Sequence, residues 1–223
     1  NTVAVAEYVF AMLQEVLRPR RFLDKAITPE AWNTLRRELE ATNQLNELTL
    51  GILGLGKVGS RLARIAAGYD MEVLYHDLID IPEGGRWCAR PVGIEELMKR
   101  SDILSVHIDS RPGNRKFIST GLLGQLRPTA IVVNTSRGFV VDEHALAGFL
   151  KRNPAARALI DVHNPEPFGP DYPLLGLPNA HLSPHLAAST ATAHVNMSWV
   201  VKDVWRVLRG EKPEHPAPVC CEQ

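Results

Sequence analysis

Cysteine is scarce in this chain: three residues in 223, Cys88 and the adjacent Cys220 and Cys221. That is too few for a disulfide framework, and it fits a reducing, cytoplasmic compartment. No His/Cys cluster with ligand spacing lies near any of the three, so no metal site is read from them. Charge of one sign is also missing. Lys and Arg number 25, and Asp and Glu number 25, which excludes the basic footprint of a nucleic-acid binder. No apolar run is long enough to span a bilayer. The N-terminal segment carries Glu7 inside its apolar pattern and no basic region ahead of it, unlike a secretory leader. Aromatic residues are 6% of the chain, and no internal repeat or low-complexity tract appears.

What is present is an alternation of short apolar runs with amphipathic stretches from Leu48 onward. That alternation predicts a parallel sheet with crossover helices. Strands are expected at 49–53, 71–76, 103–108, 130–133, 158–162 and 181–183. Helices are expected at 3–17, from Gly59, at 94–99, at 120–125, at 142–151 with Asp142 as N-cap, and from Ala187 to Leu208. Residues 19–47 read as a polar, helix-prone surface connection, and the Pro-rich tail after Lys212 as loose. Right-handed crossovers make this an α/β, doubly wound (Rossmann) sheet, with a ligand at the carboxyl ends of the strands.

One turn in that sheet has legible chemistry. Thr49 to Leu53 runs into Gly54-x-Gly56-x-x-Gly59, with Lys57 and Val58 between the last two glycines. The first glycine allows a sharp turn. The second allows close approach of a pyrophosphate, and the third lets the following helix pack on the sheet. The phosphates would face the unpaired N–H groups at that helix N-terminus. The next strand ends at Asp77, eighteen positions after Gly59. A carboxylate at that offset accepts hydrogen bonds from the adenosine ribose. With Leu78, Ile79 and Asp80 behind it and no Arg, a 2′-phosphate would meet negative charge, so NAD is favoured over NADP.

Polar residues that follow the later strands form a second constellation. Arg137 follows 130–133 in Asn134-Thr135-Ser136-Arg137-Gly138. Asp161 and Glu166 follow the next strand in Asp161-Val-His163-Asn164-Pro165-Glu166-Pro167. His185 stands in Ser183-Pro184-His185, where the last helix is expected to begin. Carbonyl reduction needs such a set. An Arg fork holds a carboxylate bidentately, a His gives or takes a proton, and a Glu bonded to the His favours its charged form and fixes its orientation.

These residues, in this order and spacing, resemble the D-isomer-specific 2-hydroxyacid dehydrogenases, a family that includes phosphoglycerate, glyoxylate/hydroxypyruvate, formate and phosphite dehydrogenases. The resemblance runs from Ala4–Glu7 through the glycine turn and Asn134–Gly138 to Asp161-Val and Ser183–His185. It implies Arg137 as substrate anchor, Glu166 as partner of the His, and His185 as acid/base. It also implies that Asp161 contacts the nicotinamide carboxamide and Lys57 and Val58 give N–H groups to the pyrophosphate. The Thr135 region lines the nicotinamide side, and Asn1 stands near the substrate. The expected activity is hydride transfer between NAD(H) and a small 2-oxo/2-hydroxy acid. The alternative is a non-catalytic NAD(H)-sensing module of corepressor type.

Two departures are visible. The family's His-x-Pro-Leu-Thr is replaced by His107-Ile108-Asp109-Ser110-Arg111, and His163 stands where an aromatic is usual. His76, His107, His144 and His163 are read as strand-end or surface residues. The resemblance further implies a discontinuous, flavodoxin-like substrate domain. On that reading residues 1–18 are the crossing helix, 19–190 the dinucleotide-binding domain, 191–209 a helix returning to the substrate domain, and 210–223 a tail. A chain that opens at the crossing helix is expected to bind NAD with little turnover of its own. The apolar faces of 3–17 and 187–208 are expected to self-associate, as a homodimer.

Overall fold

Seven short strands pair side by side in the computed structural model, which describes residues 1–216; Cys220, Cys221 and the end of the tail lie outside the described residues. The strands are β1 (Thr49–Leu53), β2 (Glu72–His76), β3 (Arg90–Pro91), β4 (Ile103–Val106), β5 (Ile131–Asn134), β6 (Arg157–Ile160) and β7 (Ala180–Leu182). All pairs are parallel, in the order β3-β2-β1-β4-β5-β6-β7. The helices are α1 (Thr2–Leu17), α2 (Pro29–Glu38), α3 (Lys57–Ala67), α4 (Glu83–Arg86), α5 (Ile94–Arg100), α6 (Thr120–Leu123), α7 (Glu143–Arg152), α8 (Ala191–Ser198) and α9 (Val200–Leu208).

The inner strands read as mostly apolar runs because both faces are covered. Ile52, Val73, Ile103, Val133 and Leu159 meet α1 and α3 through Val9, Leu13, Leu62 and Ala66. Their neighbours Leu53, Leu74, Leu104, Val132 and Ile160 face the other way, onto Leu97, Met98, Leu146 and Leu150 of α5 and α7. This period of two is the strand pleat, and it yields the doubly wound sheet expected. Strand order reverses between β1 and β4, so a crevice opens beyond Leu53 and Val106, where the chain leaves the sheet in opposite directions.

The structure departs from expectation at both ends and at one edge. The apolar face of α1 is covered: Ala6, Val9, Phe10 and Leu13 pack in one cluster with α3. The last helix begins at Ala191, not Ala187, because the Leu186 and Ala187 N–H groups are held by Asp161 and the Thr190 side chain caps α8 at Ala193. It also breaks at Trp199, after Ser198 Oγ turns back onto the His194 carbonyl, a bond that bends helices. α9 buries no side chain, while Gly210, with φ of 75°, ends it. The edge elements α4 and β3 have too little apolar pattern to be read in advance.

Candidate functional site

Backbone geometry builds the first half of the site. Gly54 has φ of 93°, and a Cβ there would come within 2.8 Å of the His107 carbonyl oxygen, so the β1–α3 turn must pass tightly over the end of β4. A Cβ on Gly59 would lie 2.3 Å from the Gly54 carbonyl oxygen, so α3 seats directly on the turn. Gly56 differs. A Cβ there would meet no atom within 4 Å, so the protein itself places no demand on this position, whereas a ligand laid across the turn would. The first-turn N–H groups of α3, at Lys57 and Val58 among others, have no intrahelical acceptor and face the same space. Asp77 sits beside them, accepting the Leu55 N–H at 2.7 Å and the Ile79 N–H at 3.2 Å.

Two clefts meet at the switch point. The first, about 320 Å3, is lined by Gly54, Gly56, Asp77 and Leu78. The second, about 260 Å3, is lined by Asn1, Val58, Thr135, Arg137 and His185. His107, Ile108 and Asp109 belong to both, so the clefts form one groove with a waist. The hydroxyl of Thr135 is buried beside the second cleft with no hydrogen-bond partner, an orphan that a polar ligand group would satisfy. The open Gly56 cradle, the α3 N-terminus and the Thr135 orphan fit an elongated dinucleotide with its pyrophosphate at the turn. An apolar groove of about 210 Å3 beside Trp32 and Leu35 shares no residue with either cleft and carries no acid or imidazole.

Buried polar side chains build the second half. Asn134 ends β5 and folds the next loop around itself. Its Oδ1 accepts the Ser136 N–H and hydroxyl at 3.0 and 2.8 Å, and its Nδ2 donates to the Arg137 carbonyl at 3.0 Å. Arg137 is thereby carried into the second cleft. Gly138 locks this loop to the next: a Cβ there would lie 2.0 Å from the His163 carbonyl carbon. Asp161 is fully buried and holds the loop from Ser183 to Ala187. It accepts the Ser183 hydroxyl at 2.6 Å and the Leu186 and Ala187 N–H groups at 2.8 Å each. Its own carbonyl accepts the His185 N–H at 2.9 Å. Those bonds hold His185 at φ of 55°, a conformation a non-glycine residue keeps only when its surroundings impose it.

Glu166 lies on the loop after β6. Its Oε1 accepts the His163 N–H at 2.7 Å, and its Oε2 stands 2.8 Å from His185 Nδ1. Burial pushes the Glu166 carboxyl up, yet the bonds from His185 and the His163 N–H outweigh it and hold the group below the ordinary carboxylate value. With Nδ1 engaged, His185 Nε2 is the nitrogen left for the cleft. The arrangement can hold an anion at Arg137 and move a proton at Nε2.

Of the residues singled out in the sequence, Asn1, Val58, Thr135, Arg137 and His185 line the second cleft, and Gly54, Gly56 and Asp77 the first. Lys57, Gly59, Asp161 and Glu166 line neither: Glu166 stands behind His185 and Asp161 beneath its loop. The Asp161 carboxylate is committed to three loop donors, so its first task is to anchor the His185 segment. His185 itself stands on that loop, ahead of α8. Asp109 is turned onto its own loop, bonded by Arg111 Nε at 2.8 Å, Arg111 Nη2 at 2.6 Å and Asn114 Nδ2 at 2.8 Å. The Arg111 bond, with smaller help from Asn114, outweighs partial burial and lowers its carboxyl below the ordinary value. The sequence did not reveal the loop-shaping role of Asn134 or the burial of His163, whereas His107 stands at a strand end as expected. His107 lies at the groove waist with Nε2 2.8 Å from Ser105 Oγ, and burial pushes its pKa down to about 4. His163 is buried rather than at the surface. The signal available was its departure from the usual aromatic.

Comparison with known proteins accords with this geometry. The family model described as "D-isomer specific 2-hydroxyacid dehydrogenase, NAD binding domain" matches residues 10–187. A glyoxylate reductase of Thermofilum pendens is 32% identical over 221 residues, covering 95% of this chain and 64% of that protein. A D-3-phosphoglycerate dehydrogenase of Archaeoglobus fulgidus is 31% identical over 212 residues, covering 94% and 40%. The crystal structure of the TT0316 protein of Thermus thermophilus superposes with a TM-score of 0.80 at 32% identity, covering 97% of this chain and 68% of that one. The chain thus spans about two fifths to two thirds of the length of the proteins it matches. It belongs to the D-isomer specific 2-hydroxyacid dehydrogenases, and residues 10–187 form their NAD-binding domain.

Proposed function

We propose that the whole protein interconverts a small 2-oxo acid and its 2-hydroxy acid, with His185 as acid/base, Glu166 as its partner and Arg137 as the substrate anchor. The observation that carries this reading is the 2.8 Å pair between Glu166 Oε2 and His185 Nδ1, at the mouth of the cleft that also holds Arg137 and Asn1. Bound NADH would supply a hydride to the substrate C2 carbonyl carbon. The Arg137 fork holds the neighbouring carboxylate. His185 Nε2 gives a proton to the oxygen that gains the electron pair, so the carbonyl becomes a hydroxyl. In the reverse direction the same nitrogen takes that proton back. Glu166, kept ionised, fixes the ring and stabilises its charged form. Lys57, Val58 and Gly56 hold the pyrophosphate by backbone, Asp77 takes the adenosine ribose, and Thr135 lines the nicotinamide side. Asp161 keeps a nicotinamide contact alongside its anchoring role.

On this reading residues 19–190 are the dinucleotide-binding unit, 1–18 the crossing helix and 191–209 a helix that serves a second domain. The lack of any buried side chain on α9 supports the last assignment. The His185 side chain is 48% exposed, so the 223 residues alone leave the reacting centre wet and are expected to bind NADH with little turnover. A cytoplasmic homodimer belongs to the same proposal. The exposed Val200, Val201, Val204, Trp205 and Leu208 support association, which sedimentation of the whole protein would test.

The test is a panel of 2-oxo acids with NADH, run on the whole protein and on His185→Ala. Loss of turnover by roughly 10²–10⁴-fold with NADH affinity retained is expected. A sensing module would show NADH binding and no turnover with any acid. Unchanged turnover in His185→Ala would refute the acid/base role.

A further inference from the structure

Behind the Glu166–His185 pair runs a polar chain, buried at His163 and Tyr172 and half-buried at Glu143, that the proposed chemistry does not use. His163 is 6% exposed. Its Nε2 lies 2.8 Å from the Ser183 carbonyl oxygen and its Nδ1 3.0 Å from the Tyr172 hydroxyl. That hydroxyl lies 2.8 Å from Glu143 Oε1, which also accepts the Asn164 N–H at 3.1 Å. Phe168 closes the cluster, stacked on Tyr172 at 4.5 Å and edge-on to His163 at 4.7 Å. Three of the four side chains come from the loop that carries Glu166, and Glu143 comes from the first turn of α7.

Counting hydrogens along this chain leaves two arrangements. A carbonyl oxygen can only accept, so His163 Nε2 carries a hydrogen. If the ring is neutral, Nδ1 is bare and must accept from Tyr172, whose oxygen then faces Glu143 with nothing to donate. Glu143 must in that case be protonated and donate to Tyr172. If Glu143 is ionised, it takes the Tyr172 hydrogen, the Tyr172 oxygen takes one from Nδ1, and the ring holds two. Any other pattern sets lone pair against lone pair at the buried His163 and Tyr172 or at the half-buried Glu143, which is costly. The two arrangements differ only in where one proton sits.

We propose that Glu143, Tyr172 and His163 hold one shared proton beneath the Glu166–His185 pair, and that His163 is a positioning residue which shifts this proton as His185 gains or loses its own. This rests on the assignment of His185 as acid/base. The link runs through Glu166: the backbone N–H of His163 bonds its Oε1 while the other oxygen of the same carboxylate bonds His185, so the His163 ring acts on that carboxylate through space rather than by a hydrogen bond of its own. When His185 is charged, a proton displaced toward Glu143 removes a like charge from behind the pair. When His185 is neutral, a proton on His163 leaves Glu166 facing a positive ring on its inner side. Burial pushes the Glu143 carboxyl up, against the bonds from Tyr172 and Asn164, which brings it toward sharing a proton. The charged and titratable groups around the ring are Glu143 and His144 from α7, Glu166 and Tyr172 from its own loop, Asp161 at the end of β6, and His185 from the segment after β7.

The test reads the rings directly. In 15N-labelled protein, the His163 Nδ1 resonance is followed while pH is swept through the titration of His185. We expect it to move toward the bare-nitrogen position as His185 becomes charged, and we expect this coupling to be lost in Glu143→Gln and in the milder Tyr172→Phe. Dispersed amide spectra of both variants establish that they fold. A His163 resonance that stays flat through the His185 titration in the wild-type protein would overturn the proposal, as would an unchanged coupling in a folded Glu143→Gln. Turnover of His185→Ala is a separate outcome. If His185→Ala keeps its turnover while the coupling is present, the acid/base assignment falls and the shared proton stands. If turnover is lost while the coupling is absent, the reverse holds.

Discussion

The two halves of the groove are built by opposite means. At the β1–α3 turn the chain makes its site by leaving side chains out: Gly54 bends, Gly59 lets α3 sit down, and Gly56 leaves room that no protein atom fills. At the ends of β5, β6 and β7 it makes its site by putting polar side chains in. Asn134 folds the Arg137 loop, Asp161 ties down the His185 loop, and Glu166 joins that loop to the His163 backbone. The first construction depends on backbone and is stiff by default. The second depends on a set of hydrogen bonds, each of which can be removed singly.

That difference predicts how each half fails. The largest effect is expected at Gly138, where the two polar loops touch. A Cβ 2.0 Å from backbone atoms of His163 has no flexible neighbour to displace. Gly138→Ala should therefore cost about 3 kcal/mol, the upper part of the overpacking range, read as a fall in the chemical-denaturation midpoint. Asn134→Ala comes next, at about 2 kcal/mol for three lost bonds around buried partners. Because the Arg137 loop loosens, KM for the acid substrate should rise more than kcat falls. An unchanged KM would mean that Asn134 supports only the sheet. Gly59→Ala is expected at about 1–2 kcal/mol, since α3 can tilt away from the Gly54 oxygen.

Two further effects depend on pH; they share a sign, and their windows separate the two groups. His107, at the waist, has its pKa pushed from 6.5 to about 4 by burial. The unfolded chain therefore takes up a proton that the folded one refuses, and stability present above pH 6.5 is lost as pH falls toward 4. In His107→Asn the fall in Tm over that window should be shallower. Glu166 is lowered below 4.5 when folded, so its contribution is present above 4.5 and is lost as pH falls through the folded value. Glu166→Gln should flatten the Tm profile only below that point.

The contrast also explains what could be read before any coordinates. The β1–α3 turn was legible because glycine spacing records backbone demands one residue at a time, and the alternation of apolar runs recorded both faces of the sheet. Arg137, Glu166 and His185 were legible as a set through the family resemblance. Their supports were not. That Asn134 and Asp161 spend their hydrogen bonds on loops, that Gly138 abuts His163, and that His163 faces Tyr172 and Glu143 all depend on contacts between distant segments. The start of α8 was misplaced for the same reason, because Asp161, some 25 residues earlier, takes the N–H groups of Leu186 and Ala187. α1 was expected to lack a partner, and tertiary packing on α3 supplied one.

The most direct test of the two-part account is a crossed measurement on the whole protein: NADH affinity by fluorescence and turnover with a 2-oxo acid, for Gly56→Ala and His185→Ala side by side. The account predicts that Gly56→Ala folds with a nearly unchanged Tm but binds NADH at least about tenfold more weakly, because its methyl group enters only the ligand's space. It predicts that His185→Ala binds NADH as the wild type does while losing turnover. If Gly56→Ala binds NADH normally, or if His185→Ala loses NADH binding together with turnover, the division into a backbone-built cofactor half and a side-chain-built chemical half is wrong.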